Sequence, residues 1–88
     1  MKTIWKFPLM MTDRQTVEIP LPAELLTVQL QGKVPHENAC LWAEVDSEGE
    51  KVRIEIAMIG TGHPVPEGMR YISTVQYGAL VFHFYEVR

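Results

Sequence analysis

Apolar and polar residues alternate with a period of two along most of the chain, and helical spacing is scarce. Ile4-Trp5-Lys6-Phe7 predicts a first short strand stopped by Pro8, and Thr16 to Ile19 a second one before Pro20. Pro20 to Glu24 predicts an extended or turning connection, because two prolines do not fit a central strand. From Leu25 to Gln31 the alternation sets Leu26, Val28 and Leu30 on one face, although Ala23 to Leu26 also allows a single helical turn. A polar loop is expected from Gly32 to Asn38. Cys40 to Val45 sets Leu41, Ala43 and Val45 opposite Trp42, and Asp46 to Glu50 predicts a hairpin turn into Val52 to Met58. Tyr71 to Tyr77 predicts another strand, and Gly78 a tight corner. The last run, Ala79 to Val87, is apolar on both sides, as befits a central strand or one that covers an oligomer interface. The sum is one all-β domain over residues 1–88, a sandwich or small barrel of six or seven short, mostly antiparallel strands.

One segment breaks the alternation. Ile59-Gly60-Thr61-Gly62-His63-Pro64-Val65-Pro66 leaves the end of a predicted strand and is longer than a plain hairpin needs. Two glycines one residue apart permit positive φ and close approach of a ligand. Successive N–H groups in such a turn can form a concavity for an anion. On that reading the amides of Gly60, Thr61 and Gly62 hold phosphate, His63 and Arg70 add charge or hydrogen bonds, and Tyr71 or Trp42 stacks on a base. The competing reading is a proline-ordered connection whose histidine bonds a carbonyl. No helix follows the bend, so it is neither a P-loop nor a dinucleotide-binding turn.

Composition narrows the partners. Eighty-eight residues give a thin core. With a single cysteine, Cys40, and no Cys/His set at zinc spacing, homo-oligomerisation is the expected support. A net charge of −3 with scattered Lys and Arg argues against duplex nucleic acid and anionic membrane as partners. No apolar run reaches transmembrane length and no signal-peptide pattern opens the chain, so a soluble cytoplasmic protein is expected. Neither cofactor nor metal is expected. Cys40 reads as a buried inert thiol, His36 as a loop residue, and His83 as a strand histidine with a local hydrogen bond. Asp46, Glu48 and Glu50 read as a solvated turn.

The chain resembles a family of small phage and prophage proteins. The resemblance rests on Met1-Lys2-Thr3-Ile4-Trp5-Lys6-Phe7-Pro8-Leu9, Thr16-Val17-Glu18-Ile19-Pro20, Leu41-Trp42-Ala43-Glu44-Val45-Asp46, Gly60-Thr61-Gly62-His63-Pro64 and Gly78-Ala79-Leu80-Val81-Phe82-His83. It implies phage origin and action in the host cytoplasm. By analogy with the oligomeric phage proteins that sequester cyclic nucleotide immune signals, it implies a non-enzymatic sponge. Its pocket, near a subunit interface, would take a small phosphorylated ligand. The alternative expectation is an inhibitor or accessory factor that docks on a host protein. A small nucleotide hydrolase ranks last, for want of a nucleophile, metal set or base dyad.

Overall fold

The computed structural model describes residues 1–32 and 38–88, for Asn38 the backbone alone. The expected loop from Gly32 to Asn38, with His36, therefore lies largely outside the described residues. Seven strands form: β1 Lys2–Leu9, β2 Arg14–Pro20, β3 Ala23–Gln31, β4 Asn38–Asp46, β5 Lys51–Gly60, β6 Met69–Tyr77 and β7 Leu80–Val87. They build a sandwich of two antiparallel sheets, one in the order β1-β4-β3 and one in the order β2-β5-β7-β6. No helix among the described residues is long and apolar enough to cross a membrane.

The alternation explains the core. Leu41, Ala43 and Val45 of β4 face Ile19, Val28, Ile56 and Phe84 from neighbouring strands, and all are essentially buried. Burying a large apolar side chain contributes on the order of 1.5–3 kcal/mol, which is what holds the two sheets face to face. The doubly apolar β7 lies between β5 and β6, the central place that was one of its two expected settings.

Four local expectations need correction. Pro8 does not stop β1; it sits within it, which costs little because β1 is an edge strand with one side free of ladder bonds. No helical turn forms at Ala23 to Leu26, where β3 already pairs with β4. A bulge between Leu25 and Thr27 shifts the register, so Leu25 joins Val28 and Leu30 on the core side and Leu26 is left 42% exposed. The turn from Asp46 to Glu50 is no hairpin. β4 and β5 belong to different sheets, so the turn crosses between them. It runs beside the β2–β3 crossing: the Leu21 N–H donates to the Glu50 carbonyl (2.9 Å) and the Asp46 N–H to the Pro22 carbonyl (3.2 Å).

Candidate functional site

The connection from β5 to β6 is long because of strand order. Both strands run antiparallel to β7, which lies between them. β5 leaves the sheet opposite Phe82, while β6 enters it opposite Val87, near the other end of β7. The connection must therefore turn back and cover roughly 20 Å along and across the sheet. Its first step is a β-turn, in which the His63 N–H donates to the Gly60 carbonyl at 3.1 Å. Gly62 is the third residue of that turn and has φ +91°, the conformation that calls for glycine there. The length that looks excessive in sequence is thus a demand of topology.

One amide of the expected anion cradle, that of Thr61, is engaged within the chain, as is the neighbouring amide of His63. The Thr61 N–H donates to the Val81 carbonyl at 3.4 Å, extending the β5–β7 ladder, and the His63 N–H closes the turn. What the bend offers a ligand is chiefly the exposed His63 ring and the Gly62 backbone. Two clefts flank it. One, of about 310 Å³, is lined by Asp13, Arg14, the end of β5, His63, Pro64, Pro66, Met69 and Phe82. The other, of about 480 Å³, runs from Gly60, Thr61 and His63 to the β6–β7 turn at Ala79 to Phe82.

Arg14 is a lining residue that the sequence reading missed. It opens β2 opposite Ala57, just short of the bend, and its Nη1 lies 2.9 Å from Glu55 Oε2. Both partners of that pair are exposed, so the pairing is weak and a phosphate can compete for the guanidinium. Arg70 lies just beyond Met69 and is exposed, without lining either cleft.

Tyr71 reaches this side of the molecule through a second bulge. Counting back from the two-residue turn Gly78-Ala79, Tyr77 opposes Leu80 and Thr74 opposes His83. Continued without interruption, the same count would turn Tyr71 to the core side. The register shift between Tyr71 and Ser73 instead sets Tyr71 opposite Tyr85, on the outer face with His83. The two tyrosine rings meet edge to face with centroids 5.6 Å apart, and Tyr71 remains 54% exposed.

A continuous line of side chains then links Tyr71 to the bend. Tyr71 Oη lies 2.6 Å from Thr74 Oγ1, and Thr74 Oγ1 lies 2.9 Å from His83 Nδ1. His83 Nε2 is 2.8 Å from Thr61 Oγ1. The hydrogen bond expected of His83 is thus a pair of bonds, one of them to the bend itself.

Trp42 is not part of this assembly. It lies on the outer face of the three-stranded sheet, opposite Lys6 and Thr27, with the Lys6 ammonium 5.8 Å from its ring centroid. The outer faces of the two sheets look away from each other, so Trp42 cannot stack on a ligand held at the bend of its own chain. Cys40 is buried on the same strand, its thiol 3.7 Å from Gln31 Oε1. Among the described residues no group of three His, Cys, Asp or Glu side chains is placed to hold a metal ion.

A family model, a domain of unknown function (DUF7352), matches residues 1–88. The chain belongs to that family. No curated protein and no solved structure matches it.

Proposed function

We propose that this DUF7352 protein is a non-enzymatic, phage-encoded binding protein that sequesters a cyclic nucleotide signal at the β5–β6 bend and so blunts host defence. The observation that carries this reading is the 310 Å³ cleft, where His63 and the weakly paired Arg14 meet apolar walls from Pro64, Pro66, Met69 and Phe82. Small-molecule sites are mostly apolar concavities with a few placed polar groups. Phosphate falls to Arg14, His63 and the Gly62 amide, with exposed Arg70 adding charge nearby. A base falls to the ring of Tyr71, which stands outside the cleft at the far end of the Thr61–His83–Thr74 line.

The cleft lies at the lower end of the usual size range for ligand sites, about 300–1,000 Å³. A second copy of the chain is needed to enclose a cyclic dinucleotide, so ligand and dimer form together. Calorimetry with cyclic di- and trinucleotides, followed by light scattering of the mixture, tests this. Saturable heat with a shift to dimer mass supports the reading, and no heat across the panel refutes it. Heating the complex must return the nucleotide intact, since a cleaved product points to a hydrolase.

A second reading is docking on a host protein. It is favoured by the exposed Leu80 (58%) and Val81 (37%) beside the β6–β7 turn. A host partner retained by the wild type and equally by His63→Ala protein separates this reading from the first.

A further inference from the structure

The line from Tyr71 to Thr61 has one further contact. The Thr61 hydroxyl also reaches the Val81 carbonyl oxygen at 3.2 Å. That carbonyl can only accept, whereas each hydroxyl has one proton to give and a neutral imidazole has one N–H. With the ring neutral, only one orientation gives all four contacts a proton. Thr61 donates to Val81, His83 Nε2–H donates to Thr61, Thr74 donates to His83 Nδ1, and Tyr71 donates to Thr74. The reverse orientation strands the Thr61–Val81 contact and leaves Tyr71 with no acceptor in the line.

We infer that His83 is a positioning residue, fixed as the Nε2–H tautomer, and that the chain leaves the Tyr71 hydroxyl oxygen as a hydrogen-bond acceptor for the ligand. This deepens the nucleotide reading and rests on it for the ligand's identity, though not for the tautomer. With its proton committed to Thr74, the phenol has only lone pairs to offer outward. Its ring is held at one end by Thr74 and along its side by Tyr85, so a flat group meets a platform already in place. The hydroxyl lies in the plane of the ring, so a base stacked on the face does not reach it; the group selected is an amino or ring N–H at the edge of a second base that meets the hydroxyl in that plane.

The charged and titratable groups around His83 are few. On β5 the residue opposite is the apolar Ile59, and on β6 Tyr71 ends the line. Tyr85 shares the outer face of β7, and His63 stands on the neighbouring bend.

Long-range proton–nitrogen NMR of the free protein reads the imidazole directly. At about pH 8.5, above the ordinary histidine range, a protonated Nε2 and a bare Nδ1 are expected. Histidine signals are assigned with single His variants. A protonated Nδ1, or a ring averaged between tautomers, overturns the chain. In Thr74→Val protein, with circular dichroism checking the fold, the single tautomer is expected to give way to a mixture. An unchanged tautomer in that variant shows that Thr74 does not orient the ring.

The selection step is read with cyclic dinucleotides carrying adenine or unsubstituted purine. Adenine, with its amino donor, is expected to bind about tenfold more tightly, and Tyr71→Phe should erase the difference. Equal binding of the two by wild-type protein overturns the acceptor role. No binding at all overturns the nucleotide reading and the selection with it, while the tautomer stands or falls by the NMR result alone.

Discussion

The Ser73 hydroxyl donates to the Val28 carbonyl oxygen at 2.8 Å, joining the edge of one sheet to the edge of the other. Thr27 Oγ1 lies 3.2 Å from the same hydroxyl. β3 and β6 are both edge strands, and an unpaired edge is a template for unwanted pairing. Here a serine of one edge strand donates to a carbonyl of the other, which the Thr27 hydroxyl also reaches at 3.5 Å. Ser73→Ala is expected to lower stability by about 0.5–1.5 kcal/mol, the usual net value of such a bond in a half-buried setting. Urea unfolding measures it, and an unchanged midpoint would mean that water replaces the serine without loss.

Gly60 and Gly62 look equivalent in sequence but are not. A Cβ on Gly60 meets the His63 ring at 3.9 Å, ordinary contact, and Gly60 does not have positive φ. Gly62 has open space around it but φ +91°. Gly60→Ala is therefore expected to be neutral or slightly stabilising, whereas Gly62→Ala should cost about 1 kcal/mol or more in backbone strain. Thermal melts of the two variants give the comparison, and the opposite ranking refutes it.

Gly49 shows a different constraint. A Cβ there would overlap the Leu21 carbonyl oxygen, at the point where the two sheet-crossing connections touch. Gly49→Ala must push the crossings apart and weaken the Leu21–Glu50 hydrogen bond. A loss of stability larger than that of Gly62→Ala is expected, since backbone has to move and no flexible side chain can yield. Equal losses would show that the turn relaxes freely.

Asp46 occupies the same region. The Glu48 N–H donates to its Oδ1 at 3.0 Å and the Met1 ammonium at 3.1 Å, and these hold its carboxyl below the ordinary value of 3.8. Because the folded value is depressed, the contribution is present above the unfolded value and is lost as pH falls through the folded one. Carbon-detected NMR titration should place the Asp46 midpoint below the ordinary value of 3.8. Asp46→Asn should remove that share of the acid dependence, and an unaltered profile would argue against it.

The strands were legible because their chemistry is local. Alternation placed β5 and β7, and the Gly78-Ala79 turn fixes the Thr74–His83 pair by simple counting. The two bulges were not legible, because nothing in Leu25-Leu26-Thr27 or Tyr71-Ile72-Ser73 marks an extra residue. Each one moved a large side chain, Leu26 outward and Tyr71 onto the outer face. Sheet membership was equally hidden. The Asp46–Glu50 turn has hairpin composition, yet the partner of β5 is chosen by distant strands. The length of the bend at residue 60 follows from the strand order, which no local feature of the sequence states.

The separation of Tyr71 from Trp42 gives the last prediction. Both are aromatic, and either suits a base by chemistry alone, but they project from the outer faces of different sheets. Stacking on an aromatic ring is worth about 1–3 kcal/mol per base. Tyr71→Ala should therefore weaken nucleotide binding by about tenfold or more, whereas Trp42→Phe, which keeps a ring under Lys6, should leave it unchanged. Tryptophan emission offers an independent check: Trp42 lies on the outer face of the other sheet, so in Trp5→Phe protein the remaining signal should not respond to ligand. Quenching of Trp42 that persists undiminished in Tyr71→Ala protein would put the ligand on the three-stranded sheet and remove the bend from the binding site.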